Sequence, residues 1–373
     1  MKNKFMMIAL LLLGAVMLCG AGESYNIALL GDVHYDHNRF HDLSKMKHLG
    51  IPQGKHVLNK DGYYSWRNHS LWVEMNKGGS IEKNTPLNMK MWEKYTPVLL
   101  KKAADKAKEA KVKYTFQLGD LIHGDCYDLN LHKENLQQAI QQLTGRFDKV
   151  LTIAGNHDTR GTDGQKAWNE VINTHLDKTI PGLKRKNTNY YTVIGGDLYM
   201  FYDVMNFDVA FFEQAVKENP SSRYTFFVSH VPLLPTGKNS VRNILSDDIK
   251  RLFALLEKRN AIVLSGHTHK VSVVEYFNPA NQRKMSQFII NSTIRFPEKQ
   301  TNFKPVKPDP AQDAFAANAG KSKQLWNMFY KNKVTTHLHT NGSGYGILRV
   351  SDQGVFVDYR NFDSDKVYTY KLR

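Results

Sequence analysis

The sequence predicts an α/β fold built in layers, and three observations predict it. Five short apolar runs each stop at a glycine or serine, stretches of helical period lie between them, and an alternating pair near the C-terminus has the form of a hairpin. Strands that alternate with amphipathic helices imply a sheet covered by helices. With 41% hydrophobic and 11% aromatic residues over 373 positions, the chain has the material for a packed core, which excludes wholesale disorder. We expect one large domain over 22–373 with two insertions, at about 39–88 and 296–343.

The N-terminus comes first. Lys2 and Lys4 precede an unbroken apolar stretch from Phe5 to Leu18, followed by Cys19-Gly20-Ala21-Gly22, the charged, apolar, small-residue order of a secretory signal. The stretch is too short for a comfortable bilayer span. Residues 1–21 therefore read as a signal peptide, and the protein as exported, periplasmic or secreted. Cleavage after Ala21 and lipid attachment at Cys19 both remain open, although bulky Leu18 weighs against the second. No later segment reaches membrane-spanning length. With Cys19 in the leader, Cys126 stands alone as a buried small residue, which excludes a disulfide framework.

The apolar runs then follow in order. Tyr25 to Leu30 ends at Gly31-Asp32, Tyr114 to Leu118 at Gly119-Asp120, and Val150 to Ala154 at Gly155-Asn156. Tyr224 to Val228 ends at Ser229-His230, and Ala261 to Leu264 at Ser265-Gly266-His267. Helical patterns occupy Trp92–Lys111, Leu131–Leu143, Val209–Glu218 and Leu245–Arg259. The Gly161–Lys166 segment lacks the spacing of a nucleotide-binding P-loop and reads as a turn. Gly346 to Val350 and Val355 to Tyr359 alternate around Asp352-Gln353-Gly354, a hairpin signature. The first insertion carries Tyr63, Tyr64, Trp66 and Trp72, which either stack on a flat ligand group or anchor the insertion to the core.

Ligands of open α/β sheets bind beyond the carboxyl ends of the strands, so the residues at these ends deserve a chemical reading. They are Asp32, His34, Asp120, Asn156, His157, Asp158, His230, His267 and His269. In extended backbone, residues i and i+2 share a side, so Asp32 with His34, and His267 with His269, are each positioned to chelate as a pair. Hard oxygen donors mixed with imidazole suit first-row divalent metals such as Mn, Fe or Zn. Seven donors exceed one tetrahedral site and match two ions that share a carboxylate.

The ordered series Asp-x-His, Gly-Asp, Gly-Asn-His-Asp, Ser-His and Gly-His-x-His, over residues 27 to 269, resembles the calcineurin-like metallophosphoesterase superfamily. The resemblance implies a four-layer α/β/β/α sandwich around a dinuclear centre, and a hydroxide held by the metals that attacks phosphorus. It implies that Asp32, His34, Asp120 and His269 hold the first metal, and Asp120, Asn156, His230 and His267 the second. It also implies that His157 protonates the leaving oxygen, oriented by Asp158. No tyrosine adjoins Gly119-Asp120, where the purple acid phosphatase branch places an iron ligand, which argues against that branch. The spacer between Asp32 and Asp120 is long for the superfamily, and substrate choice is expected to reside there.

A formal charge of +16, from 51 Lys and Arg against 35 Asp and Glu, concentrates anionic ligands near the surface. The expected substrate is a small phosphorylated molecule, cleaved by a phosphodiesterase or pyrophosphatase reaction; nucleic acid is possible but not favoured, because no continuous basic groove is visible. A phosphomonoesterase of the same fold is the alternative, and a non-catalytic metal-binding module the rival from another class. Arg39 and Arg160 follow the first and third motifs and carry the fork that grips phosphate oxygens, although a surface arginine is the default reading. Among the remaining histidines, His37, His41 and His123 read as neighbours of the motif loops, and the His337-Leu338-His339 pair as solvent-facing. The Lys101–Lys111 charges read as the wet face of a helix. Oligomeric state is not legible in the sequence.

Overall fold

The computed structural model describes residues 22–42, 80–203, 206–236, 246–293, 304–306, 323–339, 342–362, 364 and 366–373. The leader at 1–21, its Cys19, and the aromatic residues Tyr63, Tyr64, Trp66 and Trp72 lie outside the described residues. The strands are β1 (Tyr25–Leu30), β2 (Tyr114–Gln117), β3 (Val150–Thr152), β4 (Lys184–Lys186), β5 (Asn189–Ile194), β6 (Asp197–Tyr202), β7 (Thr225–Ser229) and β8 (Ile262–Ser265). They continue as β9 (Val271–Asn278), β10 (Arg283–Ile289), β11 (Lys304–Val306), β12 (Val334–His339), β13 (Gly344–Ser351), β14 (Gly354–Asn361) and β15 (Val367–Lys371).

These strands form two sheets. The first has the order β15-β14-β13-β1-β2-β3, and the second β11-β12-β9-β10-β8-β7-β6-β5-β4. β1, β2 and β3 run parallel in the first. β6, β7, β8 and β10 run parallel in the second. The expected C-terminal hairpin is β13–β14, with Val350 opposite Val355. The expected five-segment rim is therefore the joint edge of two sheets, three segments from one and two from the other.

Side-chain alternation explains why the sheets stack. In β6, Tyr199 and Phe201 enter the core shared by the two sheets, whereas Leu198, Met200 and Tyr202 enter a second core on the opposite face. Phe226 and Val228 of β7 divide from Phe227 in the same way. A strand buried on both faces reads as a continuous apolar run, which is the pattern that marked these runs in the sequence. Phe116 of the first sheet meets Tyr199 edge-on at 5.2 Å, and Tyr199 stacks on Phe226 at 4.3 Å.

Helices form the outer layers. They are α1 (Ser80–Lys94), α2 (Thr96–Glu109), α3 (Leu129–Thr144), α4 (Gly164–Thr179), α5 (Val209–Glu218) and α6 (Asp247–Lys258). Leu100 and Ala103 of α2, Leu136 and Ala139 of α3, and Trp168 and Ile172 of α4 join the core of the first sheet. Phe212 of α5, with Leu252 and Phe253 of α6, covers the outer face of the second. The layers are thus α/β/β/α, as the resemblance implied.

Side-chain caps set several helix starts. Asp128 accepts from the Leu131 amide, Asp208 from Phe211 and Ser246 from Ile249, so these helices begin one residue after each cap. The expected single helix over Trp92–Lys111 is two, broken at Tyr95, because Pro97 in the first turn of α2 has no amide to continue the preceding ladder. The Gly161–Lys166 turn ends at Asp163, and α4 begins at Gly164. Its apolar stripe of Ala167, Trp168, Val171, Ile172 and Leu176 has helical spacing and makes α4 a further helix beyond the expected four patterns. Within 296–343, β12 pairs with β9 and β11 pairs with β12 at the edge of the second sheet. His337 lies half-buried within β12, which corrects its solvent-facing reading. No helix among the described residues is long and apolar enough to cross a membrane.

Candidate metal centre

The strand ends bring their polar residues together because the backbone turns sharply there and leaves room. His34, Asp120, His267 and His269 all adopt left-handed backbone, with φ of 43°, 51°, 69° and 49°. Such conformations cost on the order of 1 kcal/mol or more each in non-glycine residues and cluster at functional sites. Two glycines serve close approach. A Cβ on Gly155 would lie 2.2 Å from Asp120 Oδ1, and one on Gly266 would lie 2.5 Å from Asp32 Oδ1. Each carboxylate occupies the volume a side chain would take. Where β10 ends, Ser292 Oγ and the Thr293 amide donate to the Asp32 carbonyl at 2.9 Å each, tying the second sheet to the end of β1.

Two mixed His/Asp triads of donor atoms result, Asp32 with His34 and His269, and Asp120 with His230 and His267, beside an all-histidine group of His34, His123 and His157. His269 Nε2 lies 2.7 Å from Asp32 Oδ2 and 3.2 Å from His34 Nε2. His230 Nε2 lies 3.1 Å from Asp120 Oδ2 and 3.2 Å from His267 Nδ1. Asp120 Oδ2 is also 3.8 Å from His34 Nε2, so this carboxylate stands between the two triads. The expected His267–His269 pair divides between them. Both residues leave the extended conformation that the pairing argument assumed, so the i, i+2 rule does not apply to them. Asp32 and His34 do converge, through the left-handed turn at His34.

The donor set fits cations. Asp32 Oδ2 and Asn156 Oδ1 are buried and make no aligned hydrogen bond among the described residues. His230 Nδ1 is 2.8 Å from the Leu118 carbonyl, which accepts its proton and aims the Nε2 lone pair at the Asp120 carboxylate. Two electron-rich atoms 3.1 Å apart require a positive charge between them. Burial alone would lower the His230 pKa, but Asp120 overrides it and pushes it up to about 9. Burial holds His34 down to about 4 against the opposite pull of Asp120. Asp120 itself sits well below the ordinary carboxylate range: burial opposes this, and His230 and the other imidazoles overcome it.

His157 stands beside this cluster, its ring centroid 4.8 Å from that of His34 and edge-on to it. Its amide donates to Asp120 Oδ1 at 2.8 Å. Its Nδ1 lies 2.7 Å from the His123 carbonyl and 2.9 Å from Arg160 Nη2. Burial first, and then the Arg160 charge, hold this imidazole well below its usual pKa. The Asp158 carboxylate does not meet the ring. It accepts from the amides of Ile122 at 2.9 Å and Gly155 at 2.7 Å, so its place is to brace the two ligand loops, which corrects the expectation that it orients His157.

Neither arginine turns its fork toward the centre. Arg160 turns the fork of Nε and Nη2 onto Asp125, with Nε 2.5 Å from Oδ1, so this edge of the guanidinium is occupied by a buried carboxylate and not offered to phosphate. Arg39 is exposed and donates to Glu134 at 2.6 Å.

His123, His41, Asp36 and Asn88, all near the centre, carry more than the sequence suggested. His123 is buried against His34 and His157, and among the described residues neither of its ring nitrogens has a hydrogen-bond partner. His41 Nε2 meets the buried Asp36 at 2.5 Å, and Asn88 donates to the same carboxylate. Only the position of His123 three residues after Asp120 pointed to it. Cys126 is buried, as expected, with Asn135 donating to its sulfur.

The family model described as calcineurin-like phosphoesterase matches residues 25–271. A dimetal phosphatase from Danio rerio is 11% identical, with a TM-score of 0.46, over 94% of this chain and 99% of that one. GAP50, described as the anchor in the inner membrane complex of Plasmodium, is 14% identical, with a TM-score of 0.49, over 94% and 89%. PhoD is 9% identical, with a TM-score of 0.47, over 94% and 70%. No curated protein matches the chain. The family model spans well over half of the chain and contains every strand-end motif described above, so the chain belongs to the calcineurin-like phosphoesterases, a family that uses two divalent metal ions.

Proposed function

We propose that this protein is an exported two-metal hydrolase that cleaves a diester or diphosphate bond in a small phosphorylated molecule. The observation that carries the reading is the pair of His/Asp triads with Asp120 between them. Asp32, His34, His269 and Asp120 would hold one ion, and Asp120, Asn156, His230 and His267 the other. The ions, when bound, supply Lewis acidity toward phosphoryl oxygens and activation of water. The protein does the rest. The Leu118 carbonyl fixes the tautomer of His230, the left-handed turns aim the imidazoles inward, and Asp158 braces the loops that carry Asp120 and Asn156. His157 is placed to face the phosphoryl and leaving oxygens. The excess of basic residues favours an anionic substrate, and the apolar stretch behind Lys2 and Lys4 supports export.

The test is hydrolysis of bis-p-nitrophenyl phosphate and p-nitrophenyl phosphate by protein reconstituted with Mn, Zn or Fe. Preference for the diester supports the reading, preference for the monoester makes it a phosphomonoesterase, and no turnover of either despite two bound ions leaves a binding module.

A further inference from the structure

A neutral imidazole carries one N–H and one lone pair, and what surrounds each nitrogen decides which is which. At His157 the two neighbours of Nδ1 make opposite demands. The His123 carbonyl, 2.7 Å away, accepts and so favours a proton on Nδ1, whereas Arg160 Nη2, 2.9 Å away, donates and so favours the lone pair there. A guanidinium cannot give up its proton, and a charge-assisted hydrogen bond is roughly twice as strong as a neutral one. The arginine is also held in place. Asp125, fully buried, takes its Nε and Nη2, and the Asp125 amide donates back to the Arg160 carbonyl at 2.6 Å. The Thr162 amide adds a bond to the Cys126 carbonyl at 3.0 Å, so the loops after Asp120 and Asn156 are stitched together around this ion pair. Taking a carboxylate out of water is expensive, and here it fixes a cation against one ring nitrogen.

We propose that Arg160, clamped by Asp125, is a positioning residue that places the ring proton of His157 on Nε2. Among the described residues nothing bonds to that nitrogen, so its N–H is available to a phosphoryl or leaving oxygen. The ring then lends a hydrogen bond and keeps its proton, since losing it would leave an imidazolate. Arg160 thus acts through His157 and does not grip the substrate with its fork. The catalytic meaning of this assignment rests on the hydrolase reading above; the tautomer does not.

The decisive measurement is 15N NMR of the intact chain labelled at histidine, with the His157 signals identified by their loss in His157→Asn. The expected result is a pyridine-like Nδ1 and a pyrrole-like Nε2 in the wild type, with the order reversed in Arg160→Met, where the His123 carbonyl is left as the partner of Nδ1. A pyrrole-like Nδ1 in the wild type overturns the proposal without recourse to any variant. In kinetics on the diester, Arg160→Met should lower kcat roughly tenfold or more with little change in KM, and should have no effect beyond about twofold in a His157→Ala background. Equal losses in both backgrounds would mean that Arg160 only supports the loops, and would also overturn it. The expected tautomer together with no phosphoester turnover would remove the hydrolase reading and leave the tautomer assignment in place.

Discussion

Asp120 Oδ2 and His230 Nε2 lie 3.1 Å apart, a carboxylate from the end of β2 facing an imidazole from the end of β7. The two strands belong to different sheets, so this contact exists only because the sheets stack in register. Asp120 also approaches His34. Removing it should therefore empty both ion sites at once. Asp120→Ala is expected to retain fewer than one of the two ions by elemental analysis and to lose on the order of 10²–10³-fold or more in kcat. Retention of both ions would refute the shared-ligand assignment.

His157→Ala should behave differently. Its ring is outside both His/Asp triads and belongs to a separate all-histidine group with His34 and His123, so metal content should stay near that of the wild type while kcat drops by about 10²–10³-fold, the scale for removing one donor aimed at developing charge. Steady-state rates with parallel metal analysis check this, and a variant as fast as wild type would remove His157 from the reaction.

Gly155→Ala tests the close approach. The added Cβ would sit 2.2 Å from Asp120 Oδ1, so either the loop or the carboxylate must move. A loss of about 1–3 kcal/mol in stability is expected, with metal affinity weakened by roughly 10–100-fold, as when ligand orientation is disturbed. Far-UV circular dichroism should stay that of the wild type, because the strand itself is untouched.

Metal removal should destabilise the fold. Each ion at a hundred times its dissociation constant adds about 2.7 kcal/mol, so chelation should lower the melting temperature and re-addition restore it. Uptake must also displace the proton that Asp120 holds on His230, whose pKa is pushed up to about 9. Affinity should therefore weaken as pH falls below about 9, which titration calorimetry at several pH values can follow. An affinity that does not change between pH 6 and pH 9, as on an order-of-magnitude scale, would contradict the proton competition.

Phe116→Ala probes the seam between the sheets. The ring is fully buried against Tyr199 and Phe201, and its loss should cost about 3–5 kcal/mol. In urea the midpoint should fall with an unchanged slope; a change in slope would signal a partly separated sheet pair.

Much was legible in the sequence because its signals are local. Tyr25–Leu30 and Val209–Glu218 have the bounds that their apolar patterns predicted, since a strand buried on both faces and an amphipathic helix each write their burial into consecutive residues. The metal-ligating residue types at strand ends were legible for the same reason: a sharp turn with a glycine leaves a mark on the chain. Partnership was not. The i, i+2 pattern joined His267 to His269, which the family resemblance divided, and Asp158 bonds to amides, while Arg160 turns to Asp125, because each outcome depends on groups brought from distant parts of the chain. Sequence alone determined which side chains stand at the ends of the strands. Only the stacking of two sheets decided which of them face one another, because the distances that govern coordination and proton placement are set across the seam and not along the backbone.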